Sequence, residues 1–149
     1  MRGIIISLMA ACWFTSAMAD PTPFDDTNLQ HLKGTGQAGI VYLWTPYMPL
    51  SILGLSEAEE VANRLDMDFT AVLDPASGRE WSFLETQEDL KPYSRHYMSS
   101  FELLDLGVLN HFPAVVVYRD GEIIPTVIHG YEEPQGLETY IIQILKGEL

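Results

Sequence analysis

Four side chains could together hold a soft metal ion. Met48, His96, Met98 and His111 offer two thioethers and two imidazoles, a donor set that suits copper. His111 lies two residues before Pro113, and the stretch His96-Tyr97-Met98 could swing over the same region. No tight ligand spacing links the four, and each also fits as a packing or surface residue. Thr45 offers a second chemistry. It precedes a predicted helix start, where unpaired N–H groups and the helix dipole favour an anion. As a nucleophile it would need an adjacent base. His111 is the one candidate, and no third orienting group is evident. His31 and His129 read as incidental. Thiol chemistry has little to work with, because the single cysteine is Cys12 and disulfide exchange requires a thiolate.

Cys12 falls in a segment with the marks of a secretory signal. Residues 1–19 carry one basic residue, Arg2, then an apolar core from Ile4 to about Phe14, and end in Ala17-Met18-Ala19, a small-x-small cleavage site. We expect cleavage after Ala19 and a periplasmic or secreted product with no cysteine. The apolar run is short for a bilayer span. The alternatives are an uncleaved anchor and lipoprotein processing at Cys12. No later segment is apolar enough to span a membrane, so none is expected after cleavage. The whole chain has a formal net charge of −13. Without Arg2 it is −14, and such a surface repels nucleic acid and anionic lipid. It favours basic partners or cations, or serves solubility alone.

The elements that must position these residues follow from local patterning. Residues 20–37 read as a mobile lead-in with one short helical turn before Gly34. "AGIVYLW", 38–44, is a continuous run of β-formers and fits a buried central strand. From Met48 to Asp66 the pattern turns helical, with Ile52, Leu55, Ala58, Val61, Ala62 and Leu65 on one face. Pro49 suits the first turn, although Ser56-Glu57-Ala58-Glu59 could cap a restart after Gly54. "DFTAVLDP", 68–75, is the next strand. Residues of about 75–98 form an insertion with one short helix near Glu85–Leu90. Its aromatic residues Trp81, Phe83, Tyr93 and Tyr97, with Phe101 beyond, and its cations Arg79, Lys91 and Arg95 suit either a partner surface or lid, or a sub-core over a sheet edge. Ser99 or Ser100 would cap a helix over 99–112 that ends near Gly107. "FPAVVVYRDGEIIPTVIHG" is two strands about an Asp-Gly turn. A last helix would bury Leu137, Tyr140, Ile141, Ile144 and Leu145. The order predicts an α/β domain over 38–149 with a mixed sheet.

This order and three landmarks resemble the thioredoxin superfamily. "IVYLWTPYM" is similar to the strand and Trp before the family's W-C-x-x-C site, with Thr45 and Met48 at the two cysteine positions. "HFPAVVVYRDGEI" is similar to its cis-proline loop and edge hairpin, with Pro113 at the proline position and Phe112 before it. "HGYEEPQGLETYI" is similar to its closing glycine and helix. The likeness covers roughly 38–74 and 99–146, and the insertion lies where several exported relatives carry one. The resemblance implies a three-layer α/β/α sandwich. It also implies that the family's oxidoreductase activity does not carry over, since both cysteines are replaced. Family members pair the backbone before the cis-proline with an extended peptide, which needs no thiol. Trp44, Thr45, Pro46, Tyr47, Met48, Phe112 and Pro113 are therefore expected to bind a protein or peptide of the cell envelope. No cofactor is expected. Copper handling through Met48, His96, Met98 and His111, and a transferase-like role for Thr45, are the alternative readings.

Overall fold

The computed structural model describes residues 24–25, 27–30, 33–74, 87–93, 97–99, 107 and 110–149. The expected signal segment therefore lies outside the described residues, as do Trp81, Phe83, Arg79, Arg95, His96 and Phe101. Strand β1 (Phe24–Asp25) and helix α1 (Thr27–Gln30) come first. They are followed by β2 (Ala38–Trp44), α2 (Pro49–Arg64) and β3 (Asp68–Leu73). A 3₁₀ turn (Lys91–Tyr93), β4 (Tyr97–Ser99), β5 (Ala114–Arg119), β6 (Glu122–His129) and α3 (Pro134–Lys146) complete the order.

The four long strands form one sheet in the order β3-β2-β5-β6. β2 pairs in parallel with β3 and antiparallel with β5. A parallel pair requires a crossover, and α2 supplies it. Side chains alternate cleanly. Ile40, Tyr42, Trp44, Leu73, Val115 and Val117 join α2 and α3 in one core, while Val41, Leu43, Val72, Val116 and Tyr118 form a second core on the other face. Burial on both faces is why these strands read as unbroken apolar runs instead of alternating ones. The expected mixed sheet, crossover helix, hairpin and closing helix are all present. Asp120 and Gly121 both have positive φ, 55° and 77°, the conformation a two-residue hairpin turn needs.

Several boundaries differ from expectation. β1 pairs in parallel with β4, so Phe24–Asp25 within the expected lead-in belong to a small second sheet. Ser99 is the last residue of β4 and pairs with Asp25. The rest of the expected 99–112 helix lies largely outside the described residues. Of the short helix expected near Glu85–Leu90, residues 85–86 lie outside the described residues, and 88–90 form a turn that leads into the 3₁₀ turn, where Pro92 lacks the N–H a longer helix would use. α2 runs unbroken through Gly54, with Pro49 in its first turn and no restart. Tyr140, expected inside, is 39% exposed. β6 is an outer strand of the sheet. It carries Pro125, and its register against β5 slips between Val116 and Tyr118.

Two glycines make room for tyrosine hydroxyls. A Cβ at Gly54 would fall 2.2 Å from Tyr42 Oη, and one at Gly39 would fall 2.2 Å from Tyr118 Oη. Gly54→Ala is expected to cost about 1–3 kcal/mol by forcing Tyr42 off its site. Combining it with Tyr42→Phe, which removes the clashing oxygen, should recover part of that loss. Urea unfolding of the two variants checks this, and a double variant no better than Gly54→Ala alone would refute the steric account.

Candidate functional site

The site lies where β2 ends and α2 begins. The ladder between β2 and β5 closes with Leu43 opposite Ala114. Continued by one and two residues, the same register sets Trp44 and Thr45 beside Pro113 and Phe112. The Phe112–Pro113 peptide bond is cis. Gly130 N donates to Pro113 O at 2.8 Å, which ties the end of β6 to the same loop. The end of β2 and the cis-proline loop thus lie at the same end of the sheet.

Their side chains do not all face solvent. Trp44 is fully buried, Thr45 is 4% exposed and Pro113 is buried. These three shape the site without presenting a surface. The indole Nε1–H of Trp44 donates to Tyr93 O at 2.8 Å. Tyr93 Oη in turn donates to Glu59 of α2, and its ring meets Phe69 edge-on at 6.1 Å. The 87–93 end of the insertion is thus fastened onto the core, as the sub-core reading expects of it. Between it and α2 lies a cleft of about 530 Å³ lined by Ile52, Leu55, Leu90 and Tyr93 with Glu88 and Asp89.

Ser51 is the residue that sequence reasoning missed. It is fully buried in the first turn of α2. Its Oγ accepts from Thr45 N at 3.0 Å, its carbonyl accepts from Tyr42 Oη at 3.1 Å, and its own N–H donates to Met48 O at 2.9 Å. One serine thereby holds the loop 45–48 against the sheet. A serine in a helix gives no local signal of this, because its partners come from β2. Ser51→Ala would remove the Oγ that accepts from the buried Thr45 N–H and is expected to cost about 1–3 kcal/mol in urea unfolding.

What reaches solvent is apolar. Tyr47 is 56% exposed, Met48 43%, Leu50 52% and Leu53 48%. Pro46 and Phe112 are partly exposed. Phe112 also packs on the second core. Leu50 and Leu53 were not singled out in the sequence, although their i, i+3 spacing puts them on one helix face. Tyr131 follows Gly130 and lies beside that face, its Cδ2 3.4 Å from where a Gly54 Cβ would sit. A hydrogen bond to Glu57, followed by burial and the charges of Glu57 and Glu133, raises the Tyr131 hydroxyl above its ordinary pKa.

The alternative chemistries are not assembled among the described side chains. His111 packs edge-on against His129, centroids 5.6 Å apart, so the histidine taken as incidental is its neighbour. His96 and the Met98 side chain lie outside the described residues. Among the described residues no cluster of three or more His, Cys, Asp or Glu could hold a metal. Thr45 has little room for nucleophilic attack, since it is buried.

No family model matches the chain, and no curated protein matches it by sequence. Solved structures match its fold. The exposed lipoprotein thioredoxin Etrx1 of Streptococcus pneumoniae aligns with a TM-score of 0.59 at 17% identity, over 77% of this chain and 89% of that one. The N-terminal domain of PilB from N. meningitidis aligns at 0.58 and 13%, over 76% and 84%. StoA from Bacillus subtilis aligns at 0.51 and 18%, over 70% and 82%. The chain has a thioredoxin-like fold. Among the described residues no helix is long and apolar enough to cross a membrane.

Proposed function

We propose that this chain is an exported, redox-inactive thioredoxin-like protein that binds a protein or peptide partner at the rim of the degenerate site. The observation that carries the reading is the exposed group Tyr47, Met48, Leu50 and Leu53, at the junction of β2 and α2. Large apolar side chains held open together on a rigid frame are the mark of an interaction surface. Met48 adds an adaptable thioether to it. Redox inactivity is supported by Thr45 and Met48 at the two positions where the resembling family has cysteine. Export is supported by the character of residues 1–19, and assembly or support of an envelope complex is a setting that suits such a module.

The test is a crosslinking pull-down of the tagged protein from its native envelope, beside a Tyr47→Ser, Met48→Ser variant. Both side chains are exposed, so the variant should keep its fold. A partner lost from the variant is expected, with its contact weakened by about 1–2 kcal/mol for each residue. Partners that remain unchanged would overturn the assignment of the site.

A further inference from the structure

Charge is distributed unevenly along the sheet axis. β2 runs from Ala38 at one pole to Trp44 at the site. Four cations lie toward the Ala38 pole. Arg119 pairs with Ala38 and donates to Leu145 O, near Lys146 at the end of α3. Arg64 ends α2 just before Asp68, which pairs with Gly39, and it is held by Glu60 and Glu138. Lys33 sits in the turn before β2. At the site pole Lys91 of the 3₁₀ turn is outnumbered by carboxylates. Glu57 and Glu133 act on Tyr131, Glu132 follows it in the chain, and Glu88 with Asp89 lines the cleft against Ile52 and Leu55. Acid therefore stands beside Tyr131, which borders the Leu50–Leu53 face, and in the cleft on the Ile52–Leu55 side of α2.

From this juxtaposition we propose that the occupant of the α2 face is a cationic amphipathic segment. Its apolar side chains lie on Met48, Leu50 and Leu53, and its Lys or Arg residues reach Glu57, Glu132 and Glu133. Apolar anchors at i, i+3 or i+4 match a stripe of this length. Opposite charge around an apolar patch selects the partner and speeds its encounter. An acidic or purely apolar segment would leave these carboxylates facing like charge or shut away from water. This rests on the binding reading above and specifies its partner's chemistry.

Two synthetic peptides of about 18 residues decide it. They share one leucine face and differ in carrying Lys or Glu on the other. Binding to the full protein is read by fluorescence anisotropy at about 0.05 and about 0.5 M salt. The Lys peptide should bind at least about tenfold tighter than the Glu peptide at low salt, and should weaken as salt rises. Leu50→Ser with Leu53→Ser should weaken it about tenfold or more, and Glu132→Gln with Glu133→Gln should lower both affinity and salt dependence. Equal binding of the two peptides overturns the proposal. So does Lys-peptide binding that ignores the leucine pair, since that is plain attraction to an acidic protein. Circular dichroism confirms that each variant is folded. The pull-down fails or succeeds separately. A partner that depends on Tyr47 and Met48 but docks through an acidic segment would keep the binding reading and sink this one.

Discussion

Trp44→Ala should lower stability by about 3–5 kcal/mol, the range for deleting a large buried aromatic side chain. That is a large share of the roughly 5–15 kcal/mol that holds a domain folded. The indole is fully buried among Ile40, Tyr42, Leu73 and Val115, and its N–H is the donor to Tyr93 O. Alanine would leave a cavity and a carbonyl without its donor. Trp44→Phe keeps most of the volume and loses only that bond, so about 1–2 kcal/mol is expected. Urea unfolding of both variants checks the ranking. A Trp44→Ala cost below about 1 kcal/mol would mean that the residue is not the anchor of the site end of the sheet.

Alkaline pH should destabilise the fold steeply. Burial first, then the Asp68 charge and hydrogen bond, pushes the Tyr118 hydroxyl up to about 12 from 10.0. Burial, then a hydrogen bond and charge from Glu59, pushes Tyr93 up to about 12. Burial, then the charges of Glu57 and Tyr131, raises Tyr42 further. In each case the folded value lies above the unfolded one. The stabilisation is therefore complete below about pH 10 and is lost as pH climbs through about 12. Tyr118 alone would account for about 2–3 kcal/mol, and Tyr93, which is only half-buried, for less. Denaturant midpoints measured at about pH 7, 10 and 11.5 should fall between the last two. Tyr118→Phe should flatten that fall. A midpoint that stays level to pH 11.5 would contradict the buried hydroxyls.

The fold was legible where one short stretch fixes its own environment. "AGIVYLW" is rich in β-formers and fits a strand buried on both faces, and Asp120-Gly121 fits a tight turn. Pro49 and the repeat from Ile52 to Leu65 marked the crossover helix. The site was legible as a place and less so as a surface. Trp44, Thr45 and Pro113 looked like contacts, yet all three are buried where β2 ends and β5 begins. Leu50 and Leu53 looked unremarkable because only the packed helix shows which of its apolar residues are left over. Ser51 and Gly54 depend on Tyr42 and Thr45, which reach them across the fold. No local pattern encodes such a meeting. Tyr140 was misplaced because α3 is apolar over a wider arc than its neighbours cover.

Pro125 in β6 has a consequence for behaviour in concentrated solution. An outer strand shows free N–H and C=O groups to any passing chain, and like strands can add to one another without end. A proline there offers no N–H, and the slipped register beside it bends the ladder away from a straight template. A second copy that tried to extend the sheet past β6 would meet a gap in its hydrogen bonds at mid-strand. The chain can therefore expose Tyr47, Met48, Leu50 and Leu53 while its β6 edge resists amyloid-like growth.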